Sequence, residues 1–292
     1  MTIVVHIPVL QKEVLQYLNP KPNKNFIDCT FGGGGHADNV LERISPKGKI
    51  LGIDRDSEIL NGAELKDRII FVCDNFVNLK DIVKKEKFGP VQGILFDLGY
   101  CSWHLEKSER GFSFLINESL DMRYDPQSIL TAEKIINSWP EKEIETILRE
   151  LGEERFAKRI ARGIISQRTV NPIKTTFQLI EAIKKAVPFW YQRKKIHFAT
   201  KTFQALRITV NNELDNLKEA LPQALEILEP GGRLVVISFH SLEDRIIKNF
   251  FKSLAKEGSL KILTKKPVIP TLKELKVNPR SRSAKLRAAQ KQ

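Results

Sequence analysis

The chain has 292 residues, 41% hydrophobic and 28% charged, enough for a sizeable globular core, which excludes a largely disordered protein. No apolar run approaches the roughly 20 residues that cross a bilayer, and the first ten residues lack the basic-then-apolar pattern of a secretory leader, so a cytoplasmic protein is expected. Lys and Arg number 48 against 35 Asp and Glu, a formal charge of +13, which points to a polyanionic partner unless it reflects only a general basic bias.

Strands are expected at residues 26–30, 49–54, 69–73 and 91–97, with helical or polar segments between them, a β-α-β-α-β-α-β order. The first strand runs into Asp28-Cys-Thr-Phe-Gly-Gly-Gly-Gly-His36. Four glycines in a turn before a helix let the backbone take positive φ and approach a ligand closely. The second strand ends in Asp54-Arg-Asp56, about 20 residues on, where a carboxylate can accept ribose hydroxyls. The same glycines fit a dinucleotide-binding pattern. Asp28, however, suits a ligand with a cationic ammonium, such as the methionine end of S-adenosylmethionine, better than a pyrophosphate.

The fourth strand ends in Asp97-Leu-Gly-Tyr-Cys-Ser-Trp-His104. A carboxylate followed three residues later by an aromatic ring suits a flipped base, with Asp97 accepting from an exocyclic amine and Tyr100 stacking. Asp97 as a cap and Tyr100 as a core ring is the alternative. Cys101 offers a thiol of the kind used in attack on a pyrimidine ring carbon, but nothing nearby in sequence marks it as activated. Cys29, Cys73 and Cys101 form no C-x-x-C pair, and His6, His36, His104, His197 and His240 show no ligand spacing, so no metal site is expected.

About 135 residues separate the fourth strand from a fifth at 233–239, far more than one crossover needs. An inserted helical domain is expected at 103–200, between core segments 1–102 and 201–292. Within it, residues 141–148 and 154–162 show helical spacing, the second placing Arg155, Lys158, Arg159 and Arg162 on one side, either solvated or against RNA. Phe112 and Phe114 are candidates for base stacking or for packing. The core is expected to resume at 202–210 and continue through a helix at 214–228, broken or kinked at Pro222. From Lys261 onward there are ten Lys or Arg and one acid, Glu274, a basic arm suited to phosphates, although residues 284–289 could form a last strand.

Taken together, these blocks resemble the RsmH (MraW) methyltransferases. The likeness also takes in His6-Ile-Pro-Val-Leu10, Arg110-Gly-Phe-Ser-Phe114, Leu120-Asp-Met-Arg123, Phe203-Gln-Ala-Leu-Arg207, Ile237-Ser-Phe-His-Ser-Leu-Glu-Asp-Arg245 and Asn278-Pro-Arg280. The resemblance implies an α/β class I S-adenosylmethionine-dependent fold, Rossmann-like with a mostly parallel sheet and a helical insertion. It implies methylation of the exocyclic N4 amine of a cytidine in 16S ribosomal RNA near the decoding site, with small-subunit RNA or the assembled subunit as partner and neither metal nor membrane. Gly34, Gly35, His36, Asp54, Phe76, Asp97 and His104 are the implied cofactor contacts, and Asp97, Ser102 and Tyr100 the catalytic candidates. Where the family usually has D-L-G-V-S-S-P-Q, a Pro becomes Trp103 and a Gln becomes His104. Two other readings are a Cys101-dependent methyltransferase and a non-catalytic RNA-binding assembly factor.

Overall fold

The computed structural model describes residues 8–60, 66–99, 102–106 and 108–292. In chain order come α1 (Gln11–Leu18), β1 (Asn25–Asp28), α2 (Gly35–Arg43), β2 (Ile50–Asp54), β3 (Ile69–Cys73), α3 (Leu79–Lys85) and β4 (Val91–Asp97). A helical stretch follows: α4 (Ser102–Glu106), α5 (Ala132–Ser138), α6 (Glu141–Glu150), α7 (Ala157–Val170), α8 (Thr176–Ala186), α9 (Phe189–Gln192) and α10 (Thr200–Asn211). The chain ends with α11 (Glu213–Ile227), β5 (Leu228–Ser238), α12 (Ser241–Lys256), β6 (Leu260–Ile262), α13 (Leu272–Val277) and β7 (Lys285–Lys291). Among the described residues, no helix is long and apolar enough to cross a membrane.

The chain divides into two compact units, 1–99 with 214–292, and 100–213. In the first, seven strands run in the order β3-β2-β1-β4-β5-β7-β6, with the first five parallel and β7 antiparallel to both neighbours. This is the mostly parallel, Rossmann-like α/β sheet expected from the sequence. Its strands are apolar on both faces because helices cover both. Ile27, Leu51, Ile94 and Val236 pack with Leu79, Leu221 and Ile247 on one side. On the other, Phe26, Ile50, Leu95 and Val235 pack with Val14, Leu18, Val40 and Leu41. Strand order reverses between β1 and β4, which makes the crevice beyond their carboxyl ends the natural ligand site.

The second unit is helical, built around Leu120, Ile135, Ile144, Leu148, Ile160, Ile164, Leu179 and Leu206. Thr131 caps α5, and Thr175 with Gln178 forms a full capping box on α8, which satisfies amide donors that a helix start leaves open. The unit extends to Glu213 rather than ending near residue 200. Residues 202–210, expected to resume the sheet domain, lie in α10, whose Phe203, Leu206 and Val210 join the helical core. Asn211 bonds the Met122 carbonyl and the Tyr124 amide of the same unit.

Three further expectations change. The helix expected from Glu154 starts at Ala157, because Glu153 takes a positive φ of 49° and the Glu154 carboxylate accepts from the Phe156 amide, making a turn there. The break expected at Pro222 does not occur: α11 continues through the proline as one helix. Burial of Ala220, Leu221 and Ala224 outweighs the roughly 3 kcal/mol that an interior proline costs. The basic carboxyl-terminal arm is folded: its last residues form β7 between β5 and β6, where Leu286, Ala288 and Ala289 are fully buried. Arg287, only 7% exposed, makes a forked pair with Asp244, and Lys291 caps the Leu228 carbonyl. Truncation after Ser283 should therefore abolish the cooperative thermal transition seen by circular dichroism, since it removes an inner strand. A truncated chain that melts like the full chain would show that β7 is dispensable.

Candidate active site

The glycine loop joins β1 to α2 and rests on Phe31. Gly32 and Gly34 adopt φ of 51° and 76°, the left-handed region that favours glycine. A Cβ on Gly34 would also come within 3.0 Å of the Phe31 ring, whereas one on Gly33 would meet nothing within 4 Å. Of the expected steric demand, then, positive φ falls on alternate glycines, and Gly33 lines open space. The loop is tied to the end of β2: Phe31 N donates to the Ile53 carbonyl at 2.9 Å, and Gly32 N to Asp54 Oδ2 at 2.8 Å. Asp54 Oδ1 accepts from the Asp56 amide at 3.1 Å. Carboxylate oxygens have lone pairs beyond these bonds.

Asp28 and Asp97 end the two strands that flank the reversal of strand order. Thr30 couples them, accepting from the Asp97 amide at 2.6 Å while its hydroxyl lies 3.4 Å from Asp28 Oδ1, which also accepts from Thr30 N. His36, the second residue of α2, is 7% exposed and puts Nε2 3.5 Å from Asp97 Oδ2. Neither His36 Nε2 nor Asp97 Oδ1 has a hydrogen-bond partner among the described residues, although both atoms are buried. Buried polar atoms left open in this way are uncommon and call for a ligand or a functional role.

The electrostatics follow from burial. Burial pushes the Asp28 carboxyl up to about 6, against the opposing pull of His36 and the Thr30 amide. For His36, burial works against the imidazolium, but Asp97 and then Asp28 outweigh it and hold its pKa above the ordinary histidine value. Burial thus favours the neutral form of Asp28, while the neighbouring carboxylates favour the charged form of His36.

Phe76 lies in the turn after β3, its ring edge-on to Phe96 at 5.5 Å. Across β4 and β5, Asp97 stands in register with Ile237. His240 and Glu243 form a capping box that opens α12 just beyond β5.

The remaining sequence candidates belong to the helical unit or lie outside the described residues. Ser102 opens α4 in the helical unit, and Tyr100, Cys101 and His6 lie outside the described residues. His104, also in α4, is 4% exposed and packs edge-on against Trp103, Phe112 and Tyr124, all of the same unit. Phe112, buried, stacks on Tyr124, and Phe114, half-buried, on His197. Thr30 is the residue that the sequence reading passed over. Its signal was a hydroxyl two residues after Asp28, a spacing that lets it turn back on the carboxylate.

Over residues 3–292 the sequence matches the MraW methylase family. The chain belongs to that family. It is 46% identical to Ribosomal RNA small subunit methyltransferase H of Heliobacterium mobile and 44% identical to the protein of that name from Brevibacillus brevis, in each case over 98% of both chains. Within this methylase family, the Asp28, His36 and Asp97 cluster of this chain occupies the switch point of the sheet.

Proposed function

We propose that this chain is an S-adenosylmethionine-dependent methyltransferase acting on the exocyclic N4 amine of a cytidine in 16S ribosomal RNA near the decoding site, in the cytoplasm. The observation that carries this reading is membership of the methylase family along almost the whole chain. The open glycine loop and the buried, unpartnered oxygen of Asp97 fit a cofactor and an acceptor base at the carboxyl ends of the strands.

S-adenosylmethionine supplies an electrophilic methyl group on a sulfonium. The Gly32 to Gly35 backbone gives close approach, the first amides of α2 suit a carboxylate, and ionised Asp28 suits an ammonium. Asp54 and Phe76 are assigned to the ribose and the base. Asp97 accepts from the target amine, whose lone pair is otherwise delocalised into the ring, favours a pyramidal nitrogen and holds it in line with the methyl carbon. Ser102 and Tyr100 are assigned to the same base. Most of the acceleration is then positioning, with no covalent intermediate through Cys101. His104, placed among rings of the helical unit, is proposed to shape that unit's aromatic core.

Incubation with labelled cofactor and unmodified small subunits, followed by mass spectrometry of nucleosides, tests the reading. N4-methylcytidine is the expected product. Label on a ring carbon, lost in Cys101→Ala, would favour the thiol mechanism, and no label at all would leave an assembly factor. The same assay on naked RNA decides whether the assembled subunit is needed.

Affinity for the cofactor should depend on pH. Asp28 must be ionised to attract an ammonium and titrates at about 6, while protonated His36 adds a repelling charge. Acidification below about pH 6 should then weaken binding by close to tenfold per unit. Asp28→Asn should flatten this slope in calorimetry. A wild-type affinity constant from pH 5 to 8 (about three units) would remove Asp28 from the site. Stability of the free protein has the opposite sign. Both pKa values lie above their ordinary ones, so the folded state holds extra protons: stability declines as the pH rises from about 4 through 6 on account of Asp28, and declines further above about 6.5 on account of His36.

A further inference from the structure

The helical unit carries an aromatic and basic surface that the proposed chemistry does not use. Short helix α9 reads Phe-Trp-Tyr-Gln, and its rings divide: Tyr191 is buried, while Phe189 is 65% and Trp190 50% exposed. Tyr191 is pinned from below, its hydroxyl donating to Glu154 Oε2 at 2.7 Å, and the same carboxylate accepts from the Phe156 amide. Phe156 packs edge-on against both Trp190 and Tyr191, so the rings form one braced block.

Cations cover this block. Arg193 lies 4.3 Å from the Phe189 centroid, Lys194 5.2 Å from Trp190, and Arg155 5.3 Å from Trp190 and 5.1 Å from Phe156. Arg159 lies 5.8 Å from the Phe156 centroid. No carboxylate among the described residues pairs with these four cations, and the one acid within the block, Glu154, is buried beneath it. Exposed charged side chains ordinarily sit in solvent, and exposed large rings are ordinarily scattered singly. Here rings and uncompensated cations coincide on a rigid base.

We propose that this surface is a docking platform for an unpaired RNA segment, stacking bases on Phe189, Trp190 and the guanidinium planes while the cations neutralise phosphates. Charge complementarity selects a polyanion over an apolar protein partner. The rings select single strands, because the bases of a duplex are stacked on one another and closed to side chains. The inference rests on the reading of this chain as an RNA methyltransferase and names the form of RNA that its helical unit holds.

The test uses the full chain and fluorescein-labelled oligouridylate of about a dozen nucleotides, with a duplex of equal length as competitor. Single-stranded RNA should bind more tightly than duplex and quench tryptophan emission. Loss of both stacking rings in Phe189→Ala/Trp190→Ala should weaken binding roughly thirtyfold or more. Arg193→Glu/Lys194→Glu, confined to exposed side chains that leave the core intact, should lower the dependence of log affinity on log salt by about 1.4. Wild-type affinity and salt slope in both variants would overturn the proposal. So would tighter binding of duplex, or a concentration-dependent dimer of the wild type that the ring variant abolishes, which would make the surface a contact between copies. Failure of the functional reading looks different: the platform binds the oligonucleotide, yet no methyl group is transferred to small subunits.

Discussion

Replacing Asp97 with alanine is expected to slow single-turnover methyl transfer by about two to three orders of magnitude, the usual consequence of removing one preorganised group at a reacting centre, while leaving the fold intact. The carboxylate ends β4 at the switch point, one of its oxygens is buried without a partner among the described residues, and the other lies 3.5 Å from His36. The backbone there is held independently, by the Thr30 hydroxyl on the Asp97 amide and by the Leu98 amide on the Ile237 carbonyl. Truncating the side chain therefore removes an acceptor without cutting the strand loose. It also removes the main group that raises the His36 pKa, so the histidine should titrate at lower pH when followed by NMR. A wild-type rate in the variant would reduce Asp97 to a structural end of strand, and an unmoved histidine would show that the pair is not coupled.

Gly52→Ala should be the most damaging single-methyl change near the loop. The added Cβ would stand 2.3 Å from Phe31 Cδ2 and 2.8 Å from Cγ, in the middle of a buried strand with no room to yield. Phe31 must move, and Gly34 rests on the same ring. Overpacking of this kind costs about 1–3 kcal/mol. The displaced ring should also disorder the loop and reduce cofactor affinity about tenfold or more, if one charge-assisted loop bond such as Gly32 to Asp54 is lost. Gly33→Ala is the control, because its Cβ meets no protein atom within 4 Å and its φ is unexceptional. Its thermal stability should stay within about 0.5 kcal/mol of wild type. Equal melting of all three proteins would show that Phe31 adapts and that the glycine at position 52 carries no steric demand.

The candidate site was only partly legible beforehand. Asp28, Asp54 and Asp97 could be placed because each ends an apolar run, and a parallel sheet collects strand ends on one edge. His36 could be placed on the loop, but its approach to Asp97, 61 positions further along the chain, depends on β1 and β4 being neighbours, and periodicity carries no information about strand order. The Thr30 bridge was hidden for the same reason. Arg155 looked like one residue of a charged helix face, whereas the turn at Glu153 and Glu154 lifts it onto Phe156 and Trp190.

What the sequence by itself determined was local: uninterrupted apolar runs that can only be strands buried on both faces, glycines where the backbone needs positive φ, and a spacing between β4 and β5 too long for one crossover. Tertiary structure decided whatever depends on competition between distant groups. Residues 202–210 join the helical core because Phe203, Leu206 and Val210 find apolar partners there. Pro222 stays inside a helix because burial of its neighbours outweighs a lost amide donor. The carboxyl-terminal residues become an inner strand because Arg287 finds Asp244 and Leu286 and Ala288 find the sheet, so the positive charge that looked like a free arm is partly spent on the fold itself. Local pattern limits the conformations a segment can adopt, and the partner it meets across the chain selects among them.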